Sequence, residues 1–138
     1  MAMRTRTIEQ KVVFPATPDE VYDAFMDPKK HAEFTESEAS GSSEVGGEFS
    51  AWGGYITATN VELVRGKRIV QDWSTSEWPE GYPPSRLEIE LKAVAKGTEL
   101  TLKQSKVPVE QADDYDQGWY DSYWTPMTRY FERKKKRR

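Results

Sequence analysis

Apolar and polar residues alternate along several short stretches of the chain, which is typical of strands with one buried and one solvent-facing side. In residues 7–14, the side chains that share one face are Ile8, Gln10, Val12 and Phe14. Further strands are predicted at residues 48–52, 55–64, 67–75, 85–94 and 98–106. Because the turns between these strands are short and contain Gly or Pro, we expect neighbouring strands to pair antiparallel as a meander.

Two short helices are predicted between the first strand and the β-rich part. Residues 17–20 have the composition of a helix start, since Thr17 can cap the helix, Pro18 suits its first position and Glu20 completes a capping box. A second short helix is expected to begin at Asp27-Pro28 and to continue to about Phe34. The chain that follows is small and polar up to the β-rich part.

Residues 115–133 are predicted to form an amphipathic helix with one strongly aromatic face. At about 100° per residue, seven large side chains fall within an arc of roughly 140°. They are Trp119, Tyr120, Tyr123, Trp124, Met127, Tyr130 and Phe131. Pro126 lies inside this segment, and because an interior proline removes a backbone hydrogen bond, we expect a kink there.

Together these elements predict an α+β fold. A curved antiparallel sheet carries two short helices after its first strand, and the long C-terminal helix covers its concave face. We expect one domain over residues 1–138. The aromatic helix face can pack solidly against the sheet, or it can leave a cavity.

Charge is distributed unevenly along the chain. There are 20 Lys and Arg residues against 23 Asp and Glu, and six of the bases lie in a basic tail at residues 133–138. The remaining body is therefore acidic and unsuited to nucleic acid, because phosphate binding depends on basic side chains. We interpret the tail as the solvated end of the last helix, where Lys and Arg complement the helix dipole. The alternatives are a weak nucleic-acid or membrane patch, or a nuclear signal.

The amino-acid composition limits the class of protein and indicates its cellular compartment. No apolar run is long enough to cross a membrane, and 12% aromatic residues indicate a packed core. The absence of Cys excludes disulfides and Cys nucleophiles and fits a reducing cytoplasm. Residues 1–5 lead directly into the first strand, so we expect no signal peptide and a cytoplasmic location.

Few residues could carry catalytic or metal chemistry. His31 is the only histidine, which excludes His-based triads, and its neighbours Lys29 and Glu33 predict a solvated surface position. The acidic residues at 113, 114 and 116 are expected just before the last helix, where they suit its positive end. Glu88 and Glu90 alternate with an apolar strand face and should point outward. We therefore expect no metal site, no cofactor and no catalytic residues.

Several motifs occur in a defined order along the chain. They are residues 9–25 (EQKVVFPATPDEVYDAF), Gly46-Gly47-Glu48-Phe49, Ile69-Val70-Gln71-Asp72-Trp73, residues 76–82 (SEWPEGY), residues 97–102 (GTELTL) and Gln117-Gly118-Trp119 followed by Tyr123-Trp124. In this order they resemble the START-like (SRPBCC, helix-grip) superfamily. More narrowly, they resemble the family named for the activator of the 90-kDa heat-shock protein ATPase. The resemblance extends over residues 7–132.

The resemblance implies a helix-grip fold with a cavity between the sheet and the final helix. In the wider superfamily such cavities hold lipids, hormones, polyketides or other apolar molecules, and some members catalyse cyclisation or hydroxylation. In the eukaryotic activators, this domain follows a separate domain that grips the chaperone. The present sequence does not contain the NxNNWHW motif of that separate domain.

With a cavity implied, the sequence predicts which side chains surround it. The candidate ligand-binding residues are Phe25, Phe49, Gln71, Trp73, Trp78, Gln104, Trp119, Tyr123 and Met127. Gln71 and Gln104 share strand faces with apolar residues and are expected to act as polar anchors for a ligand. Trp78 begins a Pro-rich loop, residues 78–84, that could serve as a lid. The alternative is that the aromatic residues form ordinary core.

Three functions are compatible with the sequence. The first is non-catalytic, stress-linked binding of a small apolar molecule in the cavity. The second is association with a chaperone, in which case an exposed apolar patch is expected. The third is a cyclase-type enzyme, which needs an acid or base inside the cavity. We expect no nucleic-acid or membrane partner, and either a monomer or a homodimer.

Overall fold

The computed structural model describes residues 4–136. Strand β1 spans Thr5–Phe14 and is followed by helices α1 (Pro18–Met26) and α2 (Pro28–Thr35). The next strands are β2 (Ser40–Gly41), β3 (Glu48–Ala51), β4 (Ile56–Val64), β5 (Arg68–Thr75), β6 (Ser85–Val94) and β7 (Gly97–Pro108). A short 3-10 turn, Trp52–Gly54, joins β3 to β4. The final helical segment comprises α3 (Val109–Trp119), a π-helical turn (Tyr120–Trp124) and α4 (Thr125–Lys136).

The strands form one antiparallel sheet in the order β1-β7-β6-β5-β4-β3-β2. The predicted meander is confirmed for β3 to β7, while β2 is a two-residue strand that the sequence pattern did not predict. Strand β1 joins the sheet beside β7, where Phe14 pairs with Thr98. Gly97 has a φ of +139°, and a Cβ at this position would collide with the Phe14 carbonyl oxygen. Only glycine fits this close approach of the first and last strands.

Alternation along the strands produces the predicted inner and outer faces. Ile8, Phe14 and the amide of Gln10 are buried on β1. Glu88 and Glu90 point outward as expected and pair with Arg68, at 3.0 Å and 2.6 Å. The charged face therefore contacts solvent, and the apolar face contacts the helices.

Helix α1 begins where the sequence predicted. The Glu20 backbone N–H donates to Thr17 Oγ1 at 3.2 Å, and the Thr17 N–H donates to Glu20 Oε1 at 2.9 Å. This reciprocal capping box satisfies two backbone donors at the helix start. Five residues of the nine-residue helix are buried, and they fix its orientation on the sheet.

The last helix begins earlier than predicted. It starts at Val109 rather than at residue 115, so Asp113, Asp114 and Asp116 lie within α3 and not before it. Asp113 and Asp116 instead face β1, where Arg6 lies 2.7 Å and 3.8 Å from their carboxylates. The prediction depended on aromatic periodicity, which the first turns of α3 do not have.

Directly before Pro126 the helix widens into a π turn. The Thr125 N–H donates to the Tyr120 carbonyl, five residues back, instead of to the residue four back. The irregularity expected at Pro126 is thus accommodated in the preceding turn. A wide turn does not keep the 100° phase of an α-helix, and Tyr120, predicted on the aromatic face, is 41% exposed. The other members of that face are buried.

Residues 133–135 of the basic tail are exposed at the end of α4. The Lys134 ammonium lies 4.7 Å from the centre of the Tyr130 ring. Arg137 and Arg138 lie outside the described residues.

Candidate functional site

A cavity of about 370 Å³ lies between the sheet and the final helical segment. Its wall is mainly aromatic and is built by the 3-10 turn, strands β4 and β5, α3 and the π turn. The lining residues are Trp52, Tyr55, Ile56, Trp73, Tyr115, Gly118, Trp119, Ser122 and Tyr123. We call this space the aromatic cavity.

Two features of the sequence create the space. Trp73 projects from the inner face of β5 and contacts Tyr115 and Trp119, with ring centroids 5.4 Å and 5.7 Å away. Gly118 faces the same space from α3, and a Cβ built on it would meet no atom within 4 Å. The missing side chain at Gly118 therefore leaves room that a large side chain would occupy.

A second hollow of about 280 Å³ adjoins the aromatic cavity and is more polar. The two share Tyr55, Tyr115, Gly118 and Ser122, and the second adds Glu77, Gln111 and Asp114. We call it the outer hollow, because Glu77 and Asp114 are exposed to solvent.

Hydrogen bonds hold the tyrosines at the junction of the two spaces. The Tyr55 hydroxyl donates to Glu77 Oε1 at 2.7 Å, and the Tyr115 hydroxyl donates to Gln111 Oε1 at 2.9 Å. Thr75 Oγ1 lies 2.7 Å from the same Tyr115 hydroxyl. Burial, together with the bond to the Glu77 carboxylate, raises the pKa of Tyr55. The phenol of Tyr55 is therefore neutral at physiological pH.

The inner wall is fixed by Gln104, which the sequence predicted as a ligand anchor. Its Oε1 accepts from the Trp119 indole N–H at 2.8 Å, and its Nε2 donates to Ser85 Oγ at 3.0 Å. Gln71 is likewise buried, and its Nε2 donates to Asn60 Oδ1 at 2.9 Å. Both amides thus have protein partners, as buried amides require, and neither lies in the cavity lining.

His31 is buried, contrary to the prediction of a solvated residue. It is 1% exposed, with Nδ1 2.8 Å from the Phe25 carbonyl oxygen and Nε2 3.0 Å from the Tyr123 hydroxyl. Burial lowers the pKa of His31 to about 4, against a smaller opposite effect of the Phe25 carbonyl. The imidazole is therefore neutral, with Nδ1 donating to the carbonyl and Nε2 accepting from Tyr123.

The sequence contained a signal for this position. His31, Phe34 and Thr35 are spaced i, i+3 and i+4, and these are the buried residues of α2. The charged neighbours Lys29 and Glu33 led instead to the prediction of a surface position. The hydroxyl that hydrogen-bonds to the His31 ring belongs to Tyr123, 92 residues further along the chain.

Apart from Gln71, Gln104 and Trp78, the predicted ligand-binding residues separate into two groups of three. Trp73, Trp119 and Tyr123 line the aromatic cavity. Phe25, Phe49 and Met127 lie in the hydrophobic core outside that lining. Phe25 packs against Tyr123 and Phe49 packs against His31, with ring centroids 5.8 Å and 5.2 Å apart. The lining residues Trp52, Tyr55, Tyr115 and Ser122 were not among the predictions.

Trp78, the predicted lid residue, lies beside the cavity without being part of its lining. Its ring stacks on Tyr115 at 5.8 Å and meets Trp73 edge-on at 6.1 Å. Its indole N–H donates to the Pro83 carbonyl at 3.0 Å, which closes the loop on itself. A lid function for this loop stays a prediction.

Gln10 has a larger structural role than the sequence indicated. Gln10 Oε1 accepts from the Trp124 indole N–H at 2.7 Å. Its Nε2 donates to the Asp116 carbonyl at 2.7 Å and to Asp116 Oδ1 at 2.6 Å. Together with the Gln104–Trp119 pair, this bond attaches the final helical segment to strands β1 and β7.

Within residues 4–136, no group of three or more His, Cys, Asp or Glu side chains is placed to hold a metal ion. Over the same range, no helix has the length and apolarity needed to cross a membrane.

The family described as Activator of Hsp90 ATPase homolog 1-like protein matches residues 15–132. The chain belongs to this family. This family membership confirms the resemblance drawn from the motifs. It also agrees with the observed order of one strand, two short helices, an antiparallel sheet and a long C-terminal helical segment.

Named relatives support the assignment. An activator of 90 kDa heat shock protein ATPase homolog from Dictyostelium discoideum is 32% identical over 116 residues, which are 83% of this chain and 30% of that protein. The human homolog 1 is 29% identical over 129 residues, 92% of this chain and 37% of that protein. The chain thus spans about a third of the length of these relatives.

A solved structure shows the same fold at lower identity. The solution structure of the Aha1 dimer from Colwellia psychrerythraea superimposes with a TM-score of 0.77 at 14% identity. That likeness covers 92% of this chain and 96% of the other. At this identity it bears on the fold alone.

Proposed function

We propose that this domain binds a small apolar molecule in the aromatic cavity without transforming it. The supporting observation is the cavity itself, whose wall is formed mainly by six aromatic rings. A cavity of about 370 Å³ is within the range of small-molecule sites. The space persists because Gly118 contributes no side chain to fill it.

The wall is preorganised for binding. Trp119 is held by Gln104, Tyr123 by His31, and Tyr115 by Gln111. Side chains that are already fixed lose little conformational freedom when a ligand enters, which favours affinity. Among the described residues, the lining of the aromatic cavity includes no Asp, Glu, His or Lys, and its three tyrosine hydroxyls are hydrogen-bonded to His31, Glu77 and Gln111, which supports binding without acid–base catalysis.

Substituting Gly118 tests the proposal directly. Gly118→Phe places a ring in the open space, and we expect the binding of the neutral apolar probe N-phenylnaphthylamine to weaken by about tenfold or more. The probe's fluorescence enhancement, titrated against each protein, measures the affinity. Gly118→Ala is the matched control and should bind nearly as the parent protein does. Saturable binding that is equal in Gly118→Phe and the parent would contradict the proposal.

Gly118→Ala itself should stabilise the protein. Alanine in a helix is favoured over glycine by roughly 0.5–1 kcal/mol, and its methyl group meets no neighbour here. We expect the free energy of unfolding, measured with urea, to rise by about that amount. A loss of stability would show that the open space at Gly118 is smaller than the structure indicates.

A second candidate function is association with a 90-kDa heat-shock chaperone, in the cytoplasm. Family membership supports it, and both curated relatives described above are named as activators of that ATPase. The comparisons support this candidate more directly than the first, while the geometry of the cavity supports the first. Exposed large apolar residues, including Val13, Val45, Val64 and Tyr120, are distributed over separate elements of the described chain.

An ATPase assay separates the two functions. If the domain acts through its surface, the parent protein and the Gly118→Phe variant should stimulate the ATPase of the host chaperone equally well. Stimulation lost only in Gly118→Phe would connect the chaperone to the cavity. Absence of stimulation by the parent chain would count against this second candidate.

A further inference from the structure

Aromatic residues form most of the lining of the aromatic cavity. Six of its nine lining residues are Trp or Tyr, and they come from four separate elements. The Trp119 ring lies 4.9 Å from that of Tyr123 and 5.7 Å from that of Trp73. The faces of such rings carry negative electrostatic potential and attract cations at distances up to about 6 Å from the ring centre.

The tyrosine hydroxyls are directed to protein groups rather than reserved for a ligand. Tyr123 donates to neutral His31, Tyr115 donates to Gln111, and Tyr55 donates to Glu77. A ligand therefore meets mainly ring surface. Burial keeps His31 uncharged, so this histidine places no positive charge behind the rings.

Acidic groups stand at the entrance. Glu77 and Asp114 line the outer hollow, which adjoins the aromatic cavity and shares four lining residues with it. Across both linings, the residues of the described chain include no Lys, Arg or His. Fields from like charges in a cleft raise the local concentration of oppositely charged molecules. The entrance and the inner wall thus favour the same sign of ligand charge.

We infer that the ligand of this cavity is an apolar molecule bearing a positively charged amine, held with its cation against the Trp and Tyr rings and drawn in past Glu77 and Asp114. This inference rests on the proposed function and adds the chemical class of the ligand. Desolvated cation–π contacts are strong enough to give about a tenfold preference for a cation over a neutral group of similar shape.

Three probes that share a phenylbutyl group test the charge preference. They are phenylbutylamine, which is a cation at neutral pH, the neutral phenylbutanol, and the anionic phenylpentanoate. Each is titrated against the parent protein with N-phenylnaphthylamine already bound, and displacement of that dye gives the affinity. We expect the amine to bind about tenfold more tightly than the alcohol, and the acid to bind most weakly.

A charge-removing variant tests the role of the entrance. The double substitution Glu77→Gln and Asp114→Asn keeps an acceptor for the Tyr55 hydroxyl. This double variant should bind the amine about threefold more weakly and the alcohol with unchanged affinity. Glu132→Gln, which removes one exposed negative charge on α4 outside both linings, is the control for acidic charge elsewhere on the surface and should change neither affinity.

The outcomes distinguish the inference from the proposed function. If the dye and the alcohol bind but the amine has no advantage, the cavity binds ligands and the cationic class is wrong. If the double variant weakens the amine and the alcohol equally, the acidic entrance does not select charge, which also overturns the inference. If the dye shows no saturable binding to the parent protein, the proposed function fails and the inference fails with it.

Discussion

Trp124→Ala should lower the free energy of unfolding by about 3–5 kcal/mol, as large-to-small substitutions of buried aromatic residues do. Trp124 is 2% exposed, stacks on Trp119 at 5.3 Å and meets Phe14 edge-on at 5.9 Å. Truncation leaves a cavity between β1 and the final helical segment. It also leaves the buried Oε1 of Gln10 without its indole donor, which adds a desolvation cost.

Two comparison variants make the result specific. Trp124→Phe retains one aromatic ring but loses the N–H, so it should cost about 1–3 kcal/mol less than the alanine variant does; the remaining loss comes from the missing hydrogen bond and from the smaller ring. Tyr120→Ala removes an aromatic side chain from the same turn that is 41% exposed, and it should cost less than about 1 kcal/mol. Urea unfolding at one pH measures all three variants. Equal losses for Trp124→Ala and Tyr120→Ala would contradict the structure of the π turn.

The second large effect is a loss of stability in mild acid caused by His31. In the folded protein the pKa of His31 is lowered from 6.5 to about 4, so the unfolded chain binds a proton over a range where the folded chain does not. Stability from this residue is therefore fully present above a pH of about 6.5 and decreases as the pH falls toward about 4. The free energy of unfolding should fall by about 2 kcal/mol between roughly pH 7 and pH 5, and by about 3 kcal/mol near pH 4.

A His31→Gln variant isolates this contribution. Glutamine has no charge to gain, so the variant should start from a lower stability at neutral pH but lose less of it on acidification. All carboxylates are common to the two proteins, and the difference between their pH profiles therefore reports His31 alone. Denaturant unfolding at several pH values, with a check that both proteins remain folded at each pH, makes the comparison. Parallel profiles would show that His31 is accessible to protons in the folded state.

The strand positions could be predicted because they depend on local alternation. Leu87, Ile89 and Leu91 on β6 are buried where the pattern places them, and Glu90 between them is exposed. The start of α1 could be predicted for the same reason, since the bonds of its capping box join residues three apart. The start of the last helix was predicted too late in the chain, because residues 109–114 include no aromatic side chain that would extend the helical pattern. Ala112 among them is nevertheless fully buried.

The candidate site could be predicted only in part. Trp73, Trp119 and Tyr123 were expected around a cavity and do line it, while Phe25, Phe49 and Met127 pack in the core. All six are apolar or aromatic residues on inward faces, so pattern alone could not separate cavity wall from core. The separation depends on the empty position at Gly118 and on the phase change at the π turn.

The family, the order of elements and the faces of the strands could be predicted from local patterns, because motifs, caps and alternation are encoded over a few neighbouring residues. Which polar side chains are buried, and what they bind, followed only from the folded chain. Gln10 meets Trp124 across 114 residues, and His31 meets Tyr123 across 92. Contacts over such separations depend on the register of β1 against β7 and on the packing of the final helical segment, which no local pattern specifies.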